Sequence, residues 1–197
     1  APRPPRRPAR EVRRELGIGD EVVLLHSSNL RPLKRIDLLL EAVSRIRSRT
    51  RFKLVILAGG SFAPFAADVR QLKLEDRLVV LERIRDVEEY LQIADVLLQT
   101  SETESFCLSI LEAMCFACPC VSSRVGGIPE LVADGVTGTL VPFGDVDALA
   151  MAAQQLIENP EKRGLMGRAG QQRAHELFSP EVIVPRYEAL YRRLRGK

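Results

Sequence analysis

The chain has 197 residues, 46% hydrophobic and 28% charged, with a formal net charge of +3. That composition is globular, with room for one domain or one lobe of a larger protein. So small a charge makes no case for a nucleic-acid binder, and no apolar run approaches the roughly 20 residues of a membrane span. With no apolar signal region at its start either, the expected compartment is the cytoplasm.

The opening APRPPRRPAR (1–10) is too rich in Pro and Arg for a helix or a central strand. It reads as a linker or frayed terminus, and its cations lack the aromatic partners of a single-strand nucleic-acid binder. A short helix over 11–16 closes at Gly17. EVVLLH (21–26) is the first strand, followed by helical spacing over 36–49. FKLVILA (52–58) is the second strand, followed by a helix over 64–72. Residues 77–81 form the third strand and 87–94 a helix. DVLLQ (95–99) is the fourth strand, and after it Leu108, Leu111 and Met114 recur at helical spacing. Strands at 119–123 and 138–141 flank a short helix at 128–132, and the tail is helical over 146–158, 160–177 and 180–194.

Near-continuous apolar strands alternating with helices predict an α/β fold: a doubly wound, Rossmann-like parallel sheet of about six strands with helices on both faces. Ligands of such sheets bind outside the carboxyl ends of the strands. The loops that matter therefore follow His26, Ala58, Leu81, Gln99 and Ser123.

In the first, HSSNLRPLKR, Arg31 and Lys34 lie three apart around Pro32 and could neutralise a leaving diphosphate. In the second, Gly59 and Gly60 would let a ligand approach the backbone, and a plain turn explains them equally well. In the third, Arg83 could face a nucleobase, or decorate a surface loop. In the fifth, Gly126 and Gly127 open a short helix, with amides that could face phosphate or sugar or serve only a tight turn. The fourth loop carries most. In SETESFCLSILEAM, Glu104 and Glu112 have seven residues between them, Glu104 just ahead of the helix and Glu112 inside it. Eight steps along a helix advance about 12 Å, the scale of an extended ribose-diphosphate-hexose. The helix start between them suits a diphosphate. Capping and surface solvation are the plainer roles for two such glutamates.

All four cysteines, Cys107, Cys115, Cys118 and Cys120, fall in one stretch. Cys115 and Cys118 form a C-x-x-C, but a second such pair is absent and His26 and His175 are remote in sequence, so buried free thiols are expected.

These pieces together resemble the C-terminal half of a retaining family 4 (group 1) glycosyltransferase of GT-B fold. The resemblance rests on Glu104 and Glu112 within ESFCLSILEAM, on Arg31 with Lys34, and on VGGIPELVADGVTGTLV from Val125 to Val141. It spans nearly the whole chain. It implies that Glu104 holds donor-sugar hydroxyls and Glu112 the ribose of a nucleotide, UDP by expectation. Arg31 and Lys34 would bind the diphosphate with Ser28 and Asn29 nearby, and the N–H groups of Phe106, Cys107 and Leu108 would contact sugar or phosphate. No metal or other cofactor is expected, since cations and a helix start supply that charge. HSSNLRPLKR further resembles transferases that place N-acetylglucosamine from UDP-GlcNAc on L-malate.

Other GT-B transferases, of the sucrose or sucrose-phosphate synthase type or acting on cell-wall sugars, remain open, as does a non-catalytic nucleotide-sugar-binding module. A flavodoxin-like receiver lacks support, because His26 and Ser27 stand where its acidic cluster would be. The family usually carries Gly at the position of Cys107, a small Gly-type residue near Ala117, and GDGP where this chain has GGSF. A GT-B enzyme also needs a second lobe, which binds the acceptor and is expected to precede this one. By itself this lobe should transfer negligibly. Its last helix should expose an apolar strip around Tyr187 to Leu194 that invites self-association.

Overall fold

The computed structural model describes residues 3–195. Six strands form one parallel sheet in the order β3-β2-β1-β4-β5-β6. They are β1 (Val22–Ser28), β2 (Phe52–Ala58), β3 (Leu78–Glu82), β4 (Val96–Gln99), β5 (Cys120–Ser123) and β6 (Gly138–Val141). The helices are α1 (Ala9–Glu15), α2 (Ile36–Arg45), α3 (Ala66–Gln71), α4 (Glu88–Leu91), α5 (Leu108–Cys115), α6 (Ile128–Leu131), α7 (Val146–Glu158), α8 (Pro160–Phe178) and α9 (Pro180–Arg195).

Alternate strand residues point to opposite faces, which splits the core in two. On one face Leu24, Leu54, Ile56, Val96, Leu98 and Val121 pack under α2 and α7 through Leu39, Leu40, Val43, Leu149, Ala153 and Leu156. On the other, Val23, Leu25, Val55, Leu57, Leu97 and Cys120 pack under α1, α4, α5 and α6. Burial on both faces is why the strands read as unbroken apolar runs.

Several boundaries differ from the sequence expectation. β1 runs two residues past His26, because Ser27 and Ser28 pair with Leu57 and Ala58. α2 stops at Arg45 rather than 49, where Ile46 turns extended (φ −63°, ψ 124°) and buries its side chain. α4 spans only Glu88–Leu91. Residues 3–8 form no helix or strand, α1 starts at Ala9 rather than 11, inside the stretch expected to be a linker, and residues 3–8 are tied down. The amides of Arg6 and Arg7 donate to the buried Glu89 carboxylate at 2.7 and 3.3 Å, and Gln92 donates to the Arg7 carbonyl.

α9 has no buried residue and exposes Val184, Tyr187, Leu190, Tyr191 and Leu194, the strip anticipated from its sequence. No described helix is long and apolar enough to cross a membrane.

Because β1 lies between β2 and β4, the connections from these central strands leave in opposite directions. This is the topological switch point, the place at the strand carboxyl ends where doubly wound sheets bind their ligands. The loop from β1 to α2 and the loop from β4 to α5 meet there.

Candidate nucleotide-sugar site

The two loops are stitched together by backbone and side-chain bonds. The Glu102 amide donates to the Leu33 carbonyl at 2.8 Å, and the Thr100 hydroxyl donates to the carbonyls of Lys34 and Arg35 at 2.9 and 3.0 Å. Lys34 ends a single 3-10 turn (Pro32–Lys34) that Pro32 opens. This geometry aims its ammonium at Glu104, with Nζ 2.5 Å from Oε1. The two side chains are only 16% and 10% exposed. The same carboxylate oxygen accepts from the Ser101 hydroxyl at 2.8 Å and from Gln99 Nε2 at 3.2 Å. Burial pushes the Glu104 carboxyl up, but the hydrogen bonds from Lys34, Ser101 and Gln99 outweigh it, so the group titrates below the usual carboxylate range. Lys34 keeps further N–H donors beyond the one Glu104 takes.

Beneath them, His26 is fully buried on β1. A carbonyl can only accept, so His26 Nδ1–H donates to Leu98 at 2.9 Å and Nε2 accepts from the Ser28 hydroxyl at 2.8 Å. Ser28 also accepts the Leu30 amide at 3.2 Å. Its hydrogen is thus committed, and Ser28 meets a ligand as an acceptor, which suits a sugar hydroxyl better than a phosphate oxygen.

Burial first, and Lys34 nearby, pull His26 down to about 4 despite its bond to the Leu98 carbonyl. The folded pKa lies below the unfolded value, so native stability is full above about pH 6.5 and falls as acid titrates the unfolded chain. Between pH 7.5 and 4.5 this residue alone should cost about 2–3 kcal/mol. Urea unfolding at the two pH values should show that loss, and His26→Gln should flatten it.

Arg31 is exposed and makes no side-chain hydrogen bond or ion pair among the described residues, while Asn29 accepts the Arg31 amide at 3.4 Å. α5 begins at Leu108 with Cys107 as its N-cap, and no side chain caps it. The N–H groups around Phe106, Cys107 and Leu108 therefore have no side-chain cap, and Leu108 is exposed. Cys107 is buried at φ +70°, a left-handed conformation, and burial pushes its thiol up to about 11. Ala117, just past α5, is likewise left-handed at φ +53°. Those two backbones are what make glycine natural at both places. Ala117→Gly should stabilise the lobe by roughly 0.5–1 kcal/mol, the left-handed penalty less the entropy of a glycine. A rise of about 1–4 °C in Tm would register it.

Gly126 and Gly127 lie directly against the chain itself. A Cβ on Gly126 would lie 1.8 Å from the Glu104 carbonyl oxygen, and one on Gly127 2.1 Å from that of Ser105. The Gly127 amide donates to the Glu104 carbonyl at 2.9 Å. Its N–H is therefore spent holding Glu104 rather than facing a ligand. Gly59 acts similarly: its amide donates to the Ser28 carbonyl at 2.8 Å, and a Cβ there would meet Asn29 Cα at 3.0 Å. Arg83 is exposed at the end of β3, left-handed at φ +57°, with its amide on the Ala58 carbonyl. Three strand spacings, about 14 Å, separate β3 from β4.

Glu112 is half-buried one turn into α5. It lines a groove of about 1080 Å³ with Val87, Glu88, Leu91 and Leu111, whose lining includes neither Lys34 nor Glu104. Burial, then the charge of Glu88, raises its pKa. The structure thus joins Lys34 to Glu104 directly and places Glu112 inside α5, which begins only at Leu108, so the path from Glu104 to Glu112 is helical only in part. The cysteines are all free, and only Cys115 is not fully buried. Among the described residues no three His, Cys, Asp or Glu side chains gather closely enough to hold a metal ion.

Gln99, Thr100, Ser101 and His26 belong to this network and escaped the sequence reading. The available signal was polarity at the ends of two otherwise apolar strands.

A family model for glycosyl transferases group 1 matches residues 8–173. The chain belongs to that family. N-acetyl-alpha-D-glucosaminyl L-malate synthase of Bacillus anthracis is 37% identical over 92% of this chain and 48% of its own length. D-inositol 3-phosphate glycosyltransferase of Mycobacterium marinum is 32% identical over 94% of this chain and 41% of its own. This group 1 chain therefore spans about half the length of the curated relatives it matches, or less. Among solved structures, sucrose-phosphate synthase of Thermosynechococcus elongatus superposes with a TM-score of 0.87 at 28% identity, covering 96% of this chain and 49% of that one. Anabaena Alr3699/HepE in complex with UDP-glucose does so at 0.83 and 26%, covering 93% and 52%.

Proposed function

We propose that this lobe is the donor-binding half of a retaining transferase that moves N-acetylglucosamine from UDP-GlcNAc to a small acceptor, with L-malate the first to test. The observation that carries the proposal is the Lys34–Glu104 contact at the switch-point crevice. One loop brings a cation suited to a diphosphate and the other a carboxylate suited to sugar hydroxyls. Support for the sugar and acceptor comes from the relatedness to the Bacillus anthracis synthase, and support for uridine from the UDP-glucose complex of HepE. Neither Lys34 nor Glu104 competes out the other's role, since one ammonium hydrogen and one carboxylate oxygen suffice for the pair.

In this reading Arg31, Lys34 and the open start of α5 face the diphosphate, stabilising the charge that appears there as the anomeric carbon gains oxocarbenium character. Glu104 holds the sugar. Glu112 holds the ribose, where a hydroxyl would bond to a half-buried carboxyl that makes no hydrogen bond among the described residues. Arg83 faces the base, on a scale that fits the strand spacing above. The acceptor comes from a second lobe, and the setting is cytoplasmic.

Calorimetric titration with UDP, GDP, ADP, ATP and FMN, then with UDP-sugars, tests this. UDP should bind best, UDP-GlcNAc best among the sugars, and chelation by EDTA should change neither. Stronger binding of FMN or ATP, or none of UDP, would overturn the reading. In a protein carrying both lobes, transfer to L-malate against inositol 3-phosphate would decide the acceptor.

A further inference from the structure

Gln99 closes β4, whose preceding residues Val96, Leu97 and Leu98 are all apolar, and it is completely buried. Its Nε2 donates to Glu104 Oε1 at 3.2 Å and to the Ser101 hydroxyl at 3.3 Å. The amide must face this way, because its oxygen would repel the carboxylate. As a result Gln99 Oε1 is buried with no partner, and it is the one such side-chain atom among the described residues. A stranded buried acceptor lowers stability, and an apolar side chain of the same shape would avoid that loss. A purely structural role would favour such a replacement.

The gain falls on Glu104. Three donors, Lys34, Ser101 and Gln99, converge on Oε1. Oε2 makes no hydrogen bond among the described residues. The carboxylate is held by one oxygen and offers the other. Lys34 and Ser101 approach from loops, whereas Gln99 approaches from the end of a central strand and is the rigid member of the three.

We propose that Gln99 is a positioning residue: by fixing Glu104 Oε1 from the end of β4 it directs Oε2 at the donor sugar, and so sets how much the sugar adds to nucleotide binding. This rests on the donor reading above and deepens it. The neighbours that bear on Glu104's charge are Lys34, the neutral His26 and the Cys107 thiol; Gln99 adds hydrogen-bond support to the ionised form.

The test is calorimetry on this chain with UDP and with UDP-GlcNAc, for the parent, Gln99→Met and Gln99→Leu. Both variants should melt no lower than the parent. They should bind UDP within twofold of it, and bind UDP-GlcNAc about tenfold more weakly. The acid limb of UDP-GlcNAc binding should move to higher pH, and that of UDP should not. Unchanged sugar affinity, an equal loss of UDP and UDP-GlcNAc, or collapse of the fold in both variants would overturn the assignment of Gln99 alone. A parent that binds neither compound would sink the donor reading and this inference with it.

Discussion

Gly126→Ala is expected to destabilise the lobe by about 3 kcal/mol or more, combining a left-handed backbone with an overpacked contact. That corresponds to a fall of about 6–12 °C in Tm for a chain of this size. The new methyl would start 1.8 Å from the Glu104 carbonyl oxygen, which is main chain and has no rotamer to retreat into. The turn after β5 must therefore withdraw. It takes with it the Gly127 amide that holds the same carbonyl at 2.9 Å. Glu104 would lose its place beside Lys34, so UDP-sugar binding should fall together with stability. Gly135→Ala is the control. Gly135 is also left-handed, at φ +76°, but an added Cβ meets nothing within 4 Å. It should cost only the conformational part, about 1–2 kcal/mol, and leave binding intact. Equal melting temperatures for the two variants would refute the close-contact account.

The central strands β1, β2 and β4 are buried on both faces and read as near-continuous apolar runs, and their alternation with helices makes the parallel arrangement legible. Lys34 and Glu104 were legible because each follows such a run, where doubly wound sheets place their chemistry. The glycine pair reads as a tight turn or a ligand contact, but its close approach to another loop does not show in the sequence. Its neighbour is the chain itself, at Glu104 and Ser105, some twenty residues earlier, and no local spacing records that. His26 and Gln99 were hidden for a related reason. His26 is satisfied by Leu98, 72 residues away and on the neighbouring strand. A polar residue at the end of an apolar strand shows its purpose only once strand order is known. Helix ends slipped where burial of one side chain, such as Ile46, overrode the periodicity.

Lys34→Ala should lower turnover in a protein carrying both lobes by about 10²–10³-fold, the usual effect of losing one preorganised donor to developing charge, about 2.7–4 kcal/mol. The loss has two sources that pH can separate. One is the missing cation at the diphosphate, which weakens UDP binding at every pH. The other is Glu104, left with Ser101 and Gln99 as its donors among the described residues. In the parent, Glu104 titrates below its unfolded value, so its contribution to stability is present above that value and is lost as pH falls through the lower, folded one. Without Lys34 that acid-side slope should shrink, because burial is no longer outweighed to the same degree. Glu104→Gln isolates the second source: it removes the slope but leaves Lys34 to meet the phosphates, so UDP affinity should persist while UDP-sugar affinity falls. Lys34→Arg keeps the charge and should retain most UDP binding, though its longer planar fork cannot reproduce a 2.5 Å approach to Oε1 in the same place. If Lys34→Ala leaves both turnover and UDP affinity unchanged, Lys34 is a structural partner of Glu104 only, and the diphosphate must lie elsewhere along the crevice.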